Sequence, residues 1–185
     1  SELNLVLIKE QDEWQPDGWK HLEDPRVVKE NFKDFSGGTA EVISSIENVY
    51  KWGLFRYPLK QSWYNDRVIL IGDAAHPTLP FLAQGAAMAI EDSFVLASKI
   101  FEFSNSSVAF KEFRRERFPR VQRVVLASTK NAHIFHLSNI ISRRVFQVSL
   151  RFLSKFFPHL LVKRFNWIYD PVSYTHLRAH ETVLH

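Results

Sequence analysis

The sequence of 185 residues contains no cysteine, and this absence excludes disulfide bonds, a thiol nucleophile and a zinc site built from cysteines. It also lacks an apolar run long enough to cross a bilayer, and its first residues lack the basic and apolar regions of a signal peptide. Hydrophobic residues make up 45% of the chain and charged residues 24%, which is ordinary for a globular protein. We therefore expect a cytoplasmic globular protein.

The chain has a modest formal charge of +4, and much of its basic surplus lies beyond Lys111. Five arginines recur there at helical spacing among apolar residues: Arg114, Arg115, Arg117, Arg120 and Arg123. Such a face could bind nucleic acid or an anionic membrane. Because no recognised nucleic-acid motif accompanies the charge, we favour a solvated helix face and expect no nucleic-acid partner.

The first third of the sequence predicts an α+β layer. Residues 3–8 form an apolar run of strand length, and residues 49–57 are rich in β-branched and aromatic residues. Between them, Asp24 and Pro25 predict the start of a short helix that runs to about Phe32. A second helix is predicted to start at Thr39. Together these pieces indicate the end of a sheet that could wall a pocket.

The remainder predicts one buried strand followed by helices. Residues 67–71 form a short apolar run of the type found in parallel sheets. Residues 84–103 predict a helix, and serine caps then introduce a second helix that ends near Leu137. A third helical stretch, residues 138–167, is expected to break near Pro158.

The end of the chain, residues 171–185, differs from the rest. It carries three of the eight histidines and shows no helical or strand periodicity. The segment SYTHLRAHET resembles translated adapter sequence, so we expect a non-native tail. The alternative is a histidine-rich tail that binds metal.

The most informative stretch is VILIGDAAHPTLPFLAQGAAMAIED, residues 68–92. Gly72 has no side chain and lets a ligand or backbone approach closely. Asp73 follows the predicted strand at its carboxyl end, where α/β sheets bind ligands, and a carboxylate there suits two vicinal hydroxyls. Two prolines, Pro77 and Pro80, then fix the direction of the loop.

The same stretch continues into a helix that opens with small residues, Gln84 to Ala87. Its free N–H groups and positive dipole end could stabilise an electron-rich ring edge. Glu91 and Asp92 could orient the segment through hydrogen bonds or could be solvated, and the sequence leaves both open. For His76 we favour a structural hydrogen-bonding role over acid–base catalysis.

This stretch resembles the second flavin-binding motif of the FAD-dependent aromatic hydroxylases, the single-component flavoprotein monooxygenases with the p-hydroxybenzoate hydroxylase fold. The match is closest to the salicylate-hydroxylase-like branch. Upstream, YKWGLFRYPL and SWYNDRVIL also resemble that branch. Downstream, FRRERFPRVQRVVLASTKNAHIFHL and FNWIYD do so too. The resemblance covers roughly residues 3–170.

The resemblance implies an α/β fold of which the chain holds an α+β fragment, the C-terminal part of a Rossmann-like flavoprotein that binds FAD and NAD(P)H. Residues 1–60 would end the substrate-binding sheet domain, residues 61–104 would carry the FAD-binding strand, loop and helix, and residues 105–170 the C-terminal helices. The family's amino-terminal G-x-G-x-x-G fingerprint is absent from the sequence. Alone, the chain is therefore not expected to hold FAD tightly or to turn over.

The resemblance also implies site residues. Those assigned to the cofactor are Gly72, Asp73, Pro80, Gln84, Gly85 and Ala86. Those assigned to the substrate are Leu54, Phe55, Tyr57 and Phe81, and Pro80 and Phe81 are the catalytic candidates. Asp73 would bind the ribityl hydroxyls of FAD, Pro80 would shape the oxygen pocket, and backbone N–H groups at 84–86 would face the pyrimidine edge of the flavin.

The reaction implied is reduction of FAD by NADH or NADPH, addition of O₂ to give a hydroperoxyflavin, and hydroxylation of a small phenolic or aromatic-acid substrate. Epoxidation of an alkene would share this machinery. A different class of function is an inactive or split flavin-fold fragment that acts as a membrane-surface or protein-interaction module.

Two further patterns leave alternatives open. Residues 141–165 mix basic and apolar side chains and could lie on an anionic membrane, although we favour a helical layer covering the flavin domain. His133 and His136 are spaced as two metal ligands could be, but without a third ligand we favour a packed or capped pair and expect no metal.

Overall fold

The structure is a computed structural model that describes residues 3–10, 18, 20–55, 57–137 and 139–169. The predicted non-native tail of residues 171–185, with its metal-binding alternative, lies outside them. The chain divides into two compact units, Ser1–Phe55 and Arg56–His185. The described residues are mostly helical, with one small sheet.

The first unit contains a two-stranded antiparallel sheet and two short helices. Strand β1 (His21–Glu23) pairs with β2 (Val49–Lys51), so that His21 lies opposite Lys51 and Glu23 opposite Val49. Helix α1 (Pro25–Asn31) starts as predicted, because the Asp24 side chain accepts a hydrogen bond from the Arg26 N–H at 2.8 Å.

Three predictions for the first unit are corrected. Residues 3–8 form no strand, since no described segment pairs with them, and Leu3 and Val6 are exposed. The strand predicted over residues 49–57 ends at Lys51, because its partner β1 is only three residues long. Helix α2 (Gly38–Ser44) follows Gly37 rather than Thr39, and Gly37 tolerates the φ of 64° found at that position.

The second unit begins with a hairpin-like segment in place of the predicted parallel strand. Ile69 forms an isolated antiparallel bridge with Tyr64, and the Leu70 N–H donates to the Trp63 carbonyl at 2.8 Å. The apolar run at 67–71 therefore pairs only with the residues just before it, within the described part of the chain. The full burial expected of this run is also wrong, because Val68 is exposed and Ile69, Leu70 and Ile71 are only partly buried against the core.

Helices make up the rest of this unit. They are α3 (Gly85–Glu102), α4 (Ser106–Phe135), α5 (Ile140–Phe156), α6 (Pro158–Lys163) and α7 (Asn166–Tyr169), and two 3₁₀ turns precede them, Gly72–Ala74 and Pro80–Leu82. The predicted helices and the break at Pro158 are confirmed. The cap of α4 is Asn105 rather than a serine, because its side chain accepts from the N–H groups of Ser107 and Val108.

The core of the second unit lies between α3 and α4. Its buried apolar residues are Trp63, Ala75, Met88, Val95, Phe113, Val121 and Val124. Helix α3 packs along α4 and against the first 3₁₀ turn, and α4 packs against the second, so the two helices support the loop from Gly72 to Gln84. No helix among the described residues is long and apolar enough to span a membrane.

Candidate functional site

The turn at Gly72 requires glycine. Its φ is 56°, and a Cβ placed on it would lie 3.1 Å from the Cβ of Ala89 on α3. The N–H groups of Ala75 and His76 both donate to the Gly72 carbonyl at 2.9 Å, which closes the turn. The close approach expected at Gly72 is therefore that of helix α3.

The first turn of α3 presents backbone donors without partners. Gln84 is the N-cap, but its side chain does not cap the helix. The first helical bond runs from the Met88 N–H to the Gln84 carbonyl at 2.9 Å. Among the described residues, the N–H groups of Gly85, Ala86 and Ala87 therefore have no acceptor, and they point out at the positive end of the helix dipole.

The Asp73 carboxylate lies beside this first turn. A Cβ placed on Gly85 would stand 3.8 Å from Asp73 Oδ1 and 3.9 Å from Thr78 Cγ2. Asp73 is exposed, and no described side chain or N–H group bonds to its carboxylate. The Asp73 carboxylate thus faces the unpaired N–H groups of residues 85–87 across a gap, and the small side chains of those residues border it.

Helix α4 supports the loop that carries Pro80. Ser128 Oγ donates to the Leu79 carbonyl at 2.6 Å, and Asn131 Nδ2 donates to the Phe81 carbonyl at 3.3 Å. Pro80 is exposed. Sequence reasoning missed both supports, although polar residues at 128 and 131 continue the inward-facing positions of Val121 and Val124 and could have been noticed.

Phe81 packs against the end of α4. Its ring centroid lies 5.8 Å from those of Phe135 and His136. His136 Nδ1 lies 2.8 Å from the Ala132 carbonyl, so His136 is a packed and capped residue as favoured. His133 is exposed, and the described part of the chain contains no cluster of possible metal ligands.

Asp92 joins three donors from different parts of the unit. Its Oδ2 accepts from the Gly72 N–H at 2.9 Å and lies 2.6 Å from His76 Nε2. Its Oδ1 accepts from Arg117 Nε at 2.8 Å. The side chains of His76, Asp92 and Arg117 are at most 1% exposed. The hydrogen-bonding role favoured for His76 is confirmed, and Asp92 is buried and hydrogen-bonded rather than solvated.

Glu91 extends this cluster to the last helix. Arg120 donates to both of its carboxylate oxygens, at 2.5 and 2.6 Å, and Arg117 Nη1 lies 2.6 Å from Oε2. Arg120 also donates to the carbonyls of Trp167 and Ile168, at 3.2 and 3.0 Å. One network of charged side chains therefore connects the Gly72 turn, α3, α4 and α7.

Buried hydrogen bonds keep both carboxylates ionised, chiefly from His76 and the Gly72 N–H for Asp92 and from the two arginines for Glu91. Burial alone would raise the pKa of Asp92, but its three hydrogen bonds hold that pKa below the ordinary 3.8. Burial would likewise raise the pKa of Glu91, and its bonds with Arg120 and Arg117 hold it below 4.5. Both carboxylates are therefore charged at neutral pH, and a charged Asp92 requires His76 Nε2 to carry the hydrogen that it shares.

The interpretation of the arginines as a solvated face is wrong for two of them. Arg117 is buried, and Arg120 is mostly buried, because both pair with acids of α3. Arg123 is exposed and lies over the ring of Trp167, 3.9 Å from its centroid. The signal that could have found the pairs is the adjacent acids, Glu91 and Asp92, on the helix just before α4.

The residues assigned to the substrate lie in different units. Leu54 and Phe55 belong to the first unit, whereas Tyr57 belongs to the second with Phe81. Leu54 and Tyr57 are exposed. Their place in a substrate pocket stays a prediction.

Comparison with known proteins identifies the family. A family model described as an FAD binding domain matches residues 5–128. This chain belongs to that family. The match confirms FAD as the cofactor of the family.

Curated relatives confirm the resemblance to the FAD-dependent aromatic hydroxylases. The 3-amino-4-hydroxybenzoate 2-monooxygenase PtnB3 of Streptomyces platensis is 36% identical over 126 residues, which are 68% of this chain and 32% of that protein. The 3-hydroxybenzoate 6-hydroxylase 1 of Aquipseudomonas alcaligenes is 35% identical over 121 residues, 65% of this chain and 30% of that protein. The chain thus spans about a third of the length of these relatives.

A solved structure shares the fold. Klebsiella pneumoniae HpxO, complexed with FAD and uric acid, superposes with a TM-score of 0.56 at 23% identity. The match covers 70% of this chain and 35% of HpxO. The chain therefore has part of the fold of a flavoprotein.

Proposed function

We propose that this chain is the C-terminal part of a cytoplasmic FAD-dependent monooxygenase that hydroxylates a small aromatic substrate with O₂ and NADH or NADPH. The observation that carries the proposal is the unpaired Asp73 carboxylate beside the unpaired N–H groups of the α3 first turn. The hydroxybenzoate substrates in the names of its relatives support a phenolic or aromatic-acid substrate.

The residues present fit FAD. The Asp73 carboxylate would accept hydrogen bonds from the ribityl hydroxyls, and it is exposed and without a competing partner in the described chain. The N–H groups of Gln84, Gly85 and Ala86 would face the electron-rich edge of the flavin ring at the positive end of α3. Small side chains at 85–87 leave room for a flat ring against the backbone.

When bound, FAD would supply electron transfer from NAD(P)H to O₂ and delivery of one oxygen atom to the substrate. Overall, the substrate C–H, O₂, NAD(P)H and one proton become the phenol C–OH, water and NAD(P)⁺. The part of this chain would be to hold and orient FAD and substrate. Pro80, which has no N–H, would shape the oxygen pocket, and α4 anchors the loop that carries it through Ser128 and Asn131.

Long-read sequencing of the source DNA across both ends of the frame is the first experiment. We expect an in-frame strand, G-x-G-x-x-G turn and helix upstream. The extended protein should bind FAD and oxidise NAD(P)H faster when 3-hydroxybenzoate or 3-amino-4-hydroxybenzoate is added, and mass spectrometry should detect a product one oxygen atom heavier. Bound FAD without any aromatic-dependent oxidation or oxygenated product would overturn the proposed reaction.

Helix α5 favours a second candidate function, binding to an anionic membrane surface. Five apolar side chains form a stripe at helical spacing, each more than half exposed: Ile141, Val145, Val148, Phe152 and Phe156. Residues 139–169 contain six lysines and arginines and no acidic residue. An apolar stripe beside cations suits a lipid interface, whereas two copies of this face would repel each other.

Co-sedimentation with vesicles tests this candidate. The chain should pellet with vesicles that contain phosphatidylglycerol, less at high salt, and not with pure phosphatidylcholine. Val148→Asp should abolish pelleting, whereas Leu126→Asp, at an exposed position of α4, should not. The candidate fails if the chain ignores anionic vesicles, or if it forms dimers that Val148→Asp dissociates.

A further inference from the structure

One carboxylate holds both ends of a five-residue turn. Asp92 Oδ2 accepts from the Gly72 N–H at the start of the turn and from the His76 ring at its end. The carboxylate comes from α3, and the turn lies 16–20 residues earlier in the chain. The conformation of residues 72–76 is therefore tied to one side chain of the helix beside it.

The second oxygen of Asp92 fixes that side chain in turn. Arg117 Nε donates to Oδ1, and Arg117 Nη1 pairs with Glu91. Three donors converge on two oxygens that are shielded from bulk solvent, since Asp92 is 0% exposed. Such a carboxylate has little freedom to rotate, because any other rotamer would leave a buried donor unpaired.

Stability alone does not account for a charged cluster at this place. Buried ion pairs often contribute no more to folding than apolar residues of similar volume, because the charges must leave water. The cluster adjoins the apolar core, because Arg117 Nη2 donates to the carbonyl of the core residue Met88 at 3.4 Å. What the ions provide here, and a packed apolar core would not, is directional bonding to the Gly72 N–H and the His76 ring.

We propose that Asp92 is a positioning residue, which fixes the turn from Gly72 to His76 so that the Asp73 carboxylate faces the first turn of α3. Asp73 follows the first bonded residue of the turn, and its Oδ1 lies 3.8 Å from the Cβ position of Gly85. The proposal rests on the proposed function only in naming the ligand that Asp73 binds as FAD.

Asp92→Asn tests the proposal in the extended protein. Asparagine keeps the shape but has one acceptor oxygen, and its NH₂ group would face the donors of either His76 or Arg117. We expect FAD affinity, followed by flavin fluorescence well below the unfolding temperature, to fall by about tenfold or more. The matched control is Val124→Ala, a core change away from the turn, which should lower the unfolding temperature and leave FAD affinity unchanged.

A pair of variants at His76 tests the same proposal if Asp92→Asn does not fold. His76→Phe retains a ring against Trp63 but removes the donor, whereas His76→Gln retains an N–H donor. FAD affinity should fall with phenylalanine and be largely restored with glutamine. Equal affinities in these two variants would overturn the proposal, as would equal affinities in Asp92→Asn and Val124→Ala.

Hydrogen exchange in this chain separates the positioning role from the proposed function. If the unaltered extended protein binds no FAD, the proposed function fails. The exchange rates of the backbone amides then still test whether Asp92 positions the turn. Asp92→Asn or His76→Phe should then speed exchange at the amides of Gly72, Ala75 and His76 while α4 stays protected. Uniform loss of protection across the unit, or no change at the turn, would contradict positioning.

Discussion

Helices α4 and α5 follow one another in the chain and both carry several arginines, but they differ in how much of their surface is buried. Helix α4 buries seven residues, including Arg117, whereas α5 buries none. Two arginines of α4, Arg117 and Arg120, pair with Glu91 and Asp92 of α3, but no described acid pairs with the arginines of α5. The difference shows that an arginine-rich amphipathic pattern predicts which face of a helix is apolar. It does not predict which other part of the protein packs against that face.

The largest expected difference between the two helices follows from removing the buried cation of α4, Arg117. Arg117→Met would remove the buried cation that pairs with both Asp92 and Glu91. The free energy of unfolding should therefore fall by about 3–5 kcal/mol. The control on α5, Arg144→Met, should change it by no more than about 0.5 kcal/mol, since Arg144 is exposed. Urea unfolding measures both. Equal losses would show that α4 and α5 do not differ as described.

Acid should reduce the stability that α4 gains from its ion pairs with the same carboxylates. Asp92 faces His76 and Arg117, and Glu91 faces Arg117 and Arg120. Because the pKa of each is lowered on folding, their contribution is complete above their ordinary values of 3.8 and 4.5 and is lost as pH falls below them. Urea midpoints should therefore fall with pH in this range, and less steeply in Arg117→Met. Parallel slopes in the two proteins would contradict the assignment.

A core truncation sharpens the contrast for apolar residues. Val124 is fully buried on α4, and Val148 is 66% exposed on α5. Val124→Ala should cost roughly 2 kcal/mol, at about 0.8 kcal/mol per buried carbon plus a cavity, and Val148→Ala within about 0.5 kcal/mol. Thermal or urea unfolding of both variants gives the comparison. A loss in Val148→Ala as large as that in Val124→Ala would mean that α5 is packed.

The smallest expected difference concerns the caps. Asn105 and Asn139 each accept two N–H groups, at the starts of α4 and α5. Asn105→Ala should lower the free energy of global unfolding by about 1 kcal/mol. Asn139→Ala should instead reduce helical circular dichroism with little change in the unfolding midpoint, because α5 buries none of its residues. A shift of the midpoint by Asn139→Ala equal to that by Asn105→Ala would argue against this.

The sequence was sufficient where the signal is local. Periodicity and proline predicted α3, α4 and the break at Pro158, and the motif with Gly72 predicted the close approach at that turn. The assignment of Asp73 and of the α3 first turn to FAD came from resemblance and stays a prediction that the geometry supports.

The rest depends on contacts between distant residues. Asp92 and Arg117 are 25 positions apart, so the adjacent acids suggest a cationic partner but do not identify which arginine it is. The apolar runs at 3–8 and 67–71 would form strands only beside a partner strand. The short strand β1 went unrecognised because its three residues carry no alternating pattern.

An FAD titration of the extended protein with Asp73→Ala, beside Asp66→Ala at another exposed position, tests the site most directly. Losing the carboxylate that we propose bonds the ribityl hydroxyls should weaken binding by about tenfold or more in Asp73→Ala, while Asp66→Ala should bind as the unaltered protein does. If Asp73→Ala binds FAD with undiminished affinity, the gap between Asp73 and the first turn of α3 is not where FAD lies.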